Sequence, residues 1–167
     1  MADAQQNLKD AFAGESQANQ RYLAYAKKAR DEGHPMVARL FRAAAAAETV
    51  HAQNHMDAMG AVHGTLENLQ DAQAGEAHEF RSMYPEFIEG AQQEGREDAE
   101  ETFDYAMQVE QIHHELYAQA IQALEGGADL PERDMYVCRG CGNTVYDEPP
   151  EKCPICGAPK SWFMHIE

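Results

Sequence analysis

Four cysteines near one end of the chain fall in two pairs, Cys138-x-x-Cys141-Gly and Cys153-Pro-Ile-Cys156-Gly, with eleven residues between the pairs. They are the only cysteines among 167 residues. A glycine after each pair suits a tight turn that points backbone N–H groups at thiolate sulfurs. Two such turns can offer four thiolates to one metal in a tetrahedron, and both zinc and iron accept that geometry. Cysteines clustered in this way read as ligands and not as a scattered disulfide framework. With no signal-peptide pattern and no long apolar run, a reducing cytoplasm is the expected location.

A second set of residues suits harder metals. Glu48-x-x-His51 and Glu110-x-x-His113 each place a carboxylate and an imidazole one turn apart on a helix face. Each has a Phe seven residues upstream, Phe41 and Phe103. Glu15 precedes Glu48 by 33 residues, and Glu76 precedes Glu110 by 34. Tyr22 follows Glu15 by seven residues, and Tyr84 follows Glu76 by eight. The chain therefore holds one pattern twice, which marks an internal repeat of a helix pair. One Glu from each of two helices, with Glu-x-x-His from each of the other two, is the donor set of a dinuclear carboxylate site. Carboxylates bridge two iron or manganese ions, and imidazoles add neutral donors. Without metal, so many inward acids would repel one another. Glu79 is one acid more than such a set requires. It lies a turn beyond Glu76, where a solvated surface Glu is the plainer reading.

The elements that must carry these residues are long helices. Residues 1–125 are rich in Ala, Gln, Glu and Met, a helical composition. The pattern predicts helices over about 4–31, 35–59, 66–94 and 97–124, with a kink at Pro85 in the third and Thr65 as its N-cap. Four long helices with short joints imply an all-α four-helix bundle. Residues 126–134 read as a linker, and 135–167 as a small metal-knuckle domain. That tail is too short to bury a self-sufficient core, so metal must supply much of its folding energy. Tyr136, Tyr146, Trp162 and Phe163 are its expected packing residues.

The formal net charge of −16 argues against nucleic acid and anionic membranes as partners.

Taken together, several motifs resemble the rubrerythrins along nearly the whole chain. They are Ala13-Gly14-Glu15-Ser16-Gln17-Ala18 with Arg21-Tyr22, Glu48-x-x-His51, Gly75-Glu76-x-x-Glu79 with Met83-Tyr84-Pro85, Glu110-x-x-His113, and the two cysteine pairs. The resemblance implies a ferritin-like di-iron domain at 1–125 followed by a rubredoxin-like iron domain at 135–167. It implies that Glu48 and Glu110 bridge two irons, with Glu15 on one and Glu76 and His113 on the other. Glu79 and His51 would exchange on the first iron with its oxidation state. Tyr22 and Tyr84 would stand near the site, hydrogen bonded to ligand carboxylates. Iron would occupy Cys138, Cys141, Cys153 and Cys156. The implied activity is a peroxidase that turns hydrogen peroxide into water. Electrons would pass through the cysteine iron from an external NAD(P)H-dependent reductase or rubredoxin-type donor. No Gly-x-Gly-x-x-Gly strand–helix unit is present for binding that nucleotide directly. The competing readings are a ferritin-like iron oxidation and storage protein, which leaves the cysteines and Glu79 unexplained, and a helical bundle with a structural zinc ribbon, which leaves the doubled Glu-x-x-His unexplained.

Assembly follows from length. In a ferritin-like bundle Glu48 and Glu76 must share one level. The second helix runs about 16 Å past Glu48, and the third starts about 15 Å before Glu76. A connection of about 31 Å is then needed, while residues 60–65 reach roughly 20–22 Å. A homodimer with domain-swapped helix hairpins is the expected solution.

Overall fold

The computed structural model describes residues 3–167, which separate into two compact units, one ending at His63 and the other spanning Gly64–Glu167. Among the described residues no helix is long and apolar enough to cross a membrane.

The first unit is an antiparallel hairpin of α1 (Ala4–Asp31) and α2 (Pro35–Met59). Asp3 caps α1 by accepting a hydrogen bond from the Gln6 N–H at 2.8 Å. Pro35 opens α2, where its missing N–H costs nothing. The buried residues of α2 are Ala38, Ala45 and Ala52, spaced by seven, and those of α1 are Ala18, Ala26 and Ala29. A seam of methyl groups lets the two backbones approach closely. Asn19 exploits this by donating from Nδ2 to the Ala45 carbonyl of the facing helix at 2.7 Å.

The joint between the units is shorter than the sequence suggests. The helix α3 (Thr65–His78) begins one residue before the expected Leu66, with Gly64 as its cap and the Gly64 N–H donated to Glu67 Oε2 at 3.1 Å. Residues 60–64 are all that lie between α2 and α3.

In the second unit α3 is followed by a π turn, Glu79–Met83, and then by α4 (Tyr84–Glu94) and α5 (Glu97–Glu125). The sequence predicts one helix here with a kink at Pro85. In the structure the helical backbone runs without a gap from Thr65 to Glu94 and widens into the π turn just before the proline. Pro85 has no N–H for the Arg81 carbonyl, and its ring would crowd that group. The wider turn resolves this: the Tyr84 N–H reaches back five residues to the Glu79 carbonyl.

The cysteine-bearing segment folds as a three-stranded antiparallel sheet in the order β2-β1-β3: β1 (Met135–Cys138), β2 (Thr144–Tyr146) and β3 (Phe163–Ile166). Tyr136 packs against His165 with ring centroids 5.1 Å apart, and Arg133 covers the Tyr146 ring at 4.5 Å. Trp162 is a correction to the sequence reading. It ends a short 3-10 turn at the sheet edge and is 51% exposed, so it is not a core residue. The tip of the first knuckle faces α5 of the same unit, with Gly142 beside Val109.

Candidate metal centres

The first centre is built from the two Cys-x-x-Cys turns. All four sulfurs lie within 4.8 Å of one another and none is in a disulfide. Cys138 Sγ is 3.7 Å from Cys156 Sγ, and Cys141 Sγ is 3.5 Å from Cys153 Sγ. A tetrahedron of sulfurs around a metal at about 2.3 Å has edges of about 3.8 Å, so the donors are spaced for one ion. The Gly140 N–H points at Cys138 Sγ at 3.4 Å, and Asn143 Nδ2 at Cys153 Sγ at 3.7 Å. Asn143 is almost fully buried, a sulfur-facing donor that nothing in the spacing of the cysteines announces. Gly140 is required sterically, because a Cβ there would stand 2.9 Å from Cys156 Sγ. Burial alone would raise the Cys153 thiol, yet the backbone N–H groups of Cys156 and Ile155 bring it down to about 7. Burial pushes Cys141 the other way. Thiolates held this close repel one another, and a shared cation relieves that repulsion.

The helical donors form one cluster in each unit. In the first, Glu15, Glu48 and His51 bring their ligand atoms within 4.8 Å of one another, and in the second Glu76, Glu110 and His113 do the same. The two clusters are copies. His51 Nδ1 is 2.8 Å from Glu48 Oε2 and 3.7 Å from Glu15 Oε1. His113 Nδ1 is 2.8 Å from Glu110 Oε2 and 3.7 Å from Glu76 Oε1. In both, the Glu-x-x-His pair sits on one helix and the third carboxylate comes across from the neighbouring helix of the hairpin. Each cluster offers hard oxygens and one imidazole nitrogen, the donor chemistry of an iron or manganese ion.

The acids of the second unit stand close enough to raise one another's pKa. Burial, then the nearby Glu110 and Glu79 carboxylates, push Glu76 up to about 7. Burial and then Glu110 raise Glu79 as well. Glu79 opens the π turn; it is not one of the three mutually close donors, but it is near enough for the charges of Glu110 and His113 to act on it.

Tyr22 and Tyr84 occupy matching places. Tyr22 lies 6.2 Å from Phe41 and 6.3 Å from Tyr25, while Tyr84 lies 6.2 Å from Phe103 and 6.3 Å from Phe87. Within each hairpin both rings pack against aromatic neighbours. The Tyr84 phenol senses the acids: burial, then the charges of Glu79, Glu110 and Glu76, raise its pKa and make it a weaker acid. His114, the neighbour of His113, packs edge-on against Phe80 with ring centroids 5.5 Å apart.

One contact was not legible in the sequence. His113 Nε2, the ring nitrogen facing away from the acids, lies 2.9 Å from Thr144 Oγ1 on β2. Thr144 Oγ1 is also 3.2 Å from the Gly142 carbonyl, one residue past Cys141.

Comparison with known proteins agrees with these centres. Residues 6–121 match the Rubrerythrin family, and residues 136–164 match the family described as "Rubrerythrin, rubredoxin-like domain". The chain is 38% identical to Rubrerythrin-2 of Clostridium acetobutylicum over 171 residues, covering 94% of this chain and 93% of that one. It is 37% identical to Nigerythrin of Nitratidesulfovibrio vulgaris over 173 residues, covering 95% and 84%. A solved structure of nigerythrin in a partially reduced state superposes with a TM-score of 0.58 at 33% identity, covering 99% of this chain and 88% of that one. A fully reduced, all-ferrous nigerythrin matches equally well. The chain belongs to the rubrerythrin family, with a ferritin-like helical domain bearing a carboxylate-bridged di-iron site and a small rubredoxin-like domain whose four cysteines hold one iron.

Proposed function

We propose that this chain is a peroxidase that reduces hydrogen peroxide to two waters, consuming two electrons and two protons. The observation that carries this reading is the doubled Glu, Glu-x-x-His donor set in a chain that also holds a four-thiolate centre. The two helical clusters together would hold the irons: Glu15, Glu48 and His51 from one hairpin, Glu76, Glu110 and His113 from the other, with Glu48 and Glu110 as bridges. When bound, the irons supply the two electrons and the Lewis acidity that draws in peroxide oxygens.

The chain's own residues supply the rest. Glu79 is held outside the donor cluster and is less acidic than an ordinary carboxyl, so it can carry a proton to a departing oxygen. In this reading it also exchanges with His51 as a ligand. Tyr22 and Tyr84 line the site with rings that exclude water. Cys138, Cys141, Cys153 and Cys156 hold the relay iron. The bonded path from Cys141 to Gly142, then through the Thr144 hydroxyl to His113, supports entry of electrons by that route. The external source is an NAD(P)H-dependent reductase or a rubredoxin-type donor. The working assembly is a homodimer with exchanged hairpins, supported by the short joint at residues 60–64, which reaches only about 17–18 Å.

The test is anaerobic. The fully reduced chain is mixed with one equivalent of hydrogen peroxide per iron pair, and remaining peroxide is measured together with the visible absorption of the cysteine iron. Peroxide should vanish and, with excess oxidant, red ferric absorption should appear. Iron release into a mineral core without peroxide consumption would favour a storage role. A colourless chain holding zinc on its cysteines would exclude the relay.

A further inference from the structure

We propose that Thr144, which belongs to the cysteine-bearing sheet, is a positioning residue for the helical metal site: it accepts the Nε2–H of His113 and thereby presents Nδ1 to the metal. The inference rests on the di-iron reading above and adds a residue to it.

The geometry is specific. His113 Nδ1 faces Glu110 and Glu76, while Nε2 faces Thr144 Oγ1 at 2.9 Å. The Thr144 hydroxyl has one proton. It has an acceptor-only partner in the Gly142 carbonyl at 3.2 Å, so the proton goes there. The oxygen's lone pairs then remain for His113, which must donate from Nε2. That fixes the tautomer in which Nδ1 keeps its lone pair for a cation. The contact also borders a cavity of about 290 Å³ walled by Leu69, Leu116, Met135 and Tyr146. An apolar wall offers few competing donors or acceptors, which strengthens a bond already made.

Among the described residues the first hairpin shows no counterpart. His51 stands in the same relation to Glu48 and Glu15, yet among the described residues no hydrogen bond reaches its Nε2. Its side chain is 52% exposed against 28% for His113. One histidine is held at both nitrogens and the other at one. Thr144 lies beside the knuckle whose Gly142 stands next to Val109 of α5.

The experiment uses the full-length chain with iron in the cysteine site. Mn(II), a hard cation that will not displace thiolate-bound iron, is titrated anaerobically, and unbound Mn(II) is read by electron paramagnetic resonance. Thr144→Val should weaken Mn(II) binding about 10–100-fold. Thr144→Ser should restore it, and the ferric absorption of the cysteine site should be unchanged in both. In parallel, nitrogen-15 spectra of the zinc-loaded wild-type chain should show His113 protonated at Nε2, with slow exchange of that proton. Unchanged Mn(II) affinity in Thr144→Val overturns the role of Thr144 alone. So does a zinc-loaded His113 that ligates through Nε2, a measurement that decides the matter even if the valine variant disturbs the sheet. A wild-type chain that binds no Mn(II) overturns the helical metal site itself, and the role of Thr144 with it.

Discussion

The rings of Tyr84 and Phe103 stand 6.2 Å apart at an angle of 38°, the relation that Tyr22 and Phe41 hold in the other hairpin at 6.2 Å and 34°. Yet Tyr84 is one residue further from its glutamate than Tyr22 is from Glu15. The π turn over Glu79–Met83 absorbs the extra residue, so the aromatic packing keeps its geometry. Three residues past Glu15 the first hairpin has Ala18, where the second has Glu79.

Glu79→Ala therefore makes the second hairpin resemble the first, whose donor cluster forms without an acid there. The variant should retain both irons and lose about 100-fold in the rate of peroxide reduction, the lower end for a lost proton carrier. Metal counting and stopped-flow peroxide consumption check this. Loss of an iron, or an unchanged rate, counts against the role assigned to Glu79.

Glu76 sets a pH dependence on the metal-free chain. Its carboxyl is raised from 4.5 to about 7 in the folded state. Between those values the folded chain keeps a proton that the unfolded chain has lost. This group's contribution is therefore fully present below pH about 4.5 and is lost as the pH rises through about 7. Melting of the metal-free chain at pH 5 and pH 8 should show the higher midpoint at pH 5, and Glu76→Gln should narrow the gap. Loading metal should reverse the trend, because a cation needs the ionised carboxylates.

Cys153→Ser should remove the red colour and stop turnover coupled to a reductase, while the helical signal in circular dichroism persists. Gly140→Ala should weaken the same site, since its methyl group collides with Cys156 Sγ. Normal reductase-coupled rates in Cys153→Ser would defeat the relay.

Asn19→Ala removes the hydrogen bond to the Ala45 carbonyl, leaving that group to Thr49 Oγ1 at 3.2 Å. A loss of about 1 kcal/mol in unfolding free energy is expected from urea denaturation, with peroxide turnover retained.

Exchange of hairpins between subunits predicts complementation. In a heterodimer of Glu48→Ala and Glu110→Ala chains, one site carries both lesions and the other is intact. Co-refolded chains should regain about a quarter of wild-type activity if pairing is random. Without exchange, every site carries a lesion and the mixture stays inactive. The exposed apolar residues Leu23, Met36, Leu40 and Val50 of the first hairpin support association of some form.

What could be read from the sequence was what depends on short spacing. The Cys-x-x-Cys turns and the Glu-x-x-His pairs are local, so chain periodicity alone aligns their donors. The helix ends were readable to within a residue because Gly and Pro punctuate them. The π turn left a trace in the unequal offsets of Tyr22 and Tyr84, but a proline nearby offered a more familiar cause for a kink. Trp162 was misjudged because size argues for burial, while its position on a short turn at the sheet edge exposes it. Thr144 left no trace. Its partner lies 31 residues away on a different element, and only the folding of the knuckle against α5 brings them together.

Two identical hairpins would offer identical donor sets, and the ions they held would be interchangeable. An electron arriving at such a site would have no preferred side, and neither would an incoming oxygen. The single residue accommodated at the π turn is one feature that sets the halves apart. It turns a duplicated scaffold into one whose halves differ, so a substitution in one half need not have the effect of the same substitution in the other.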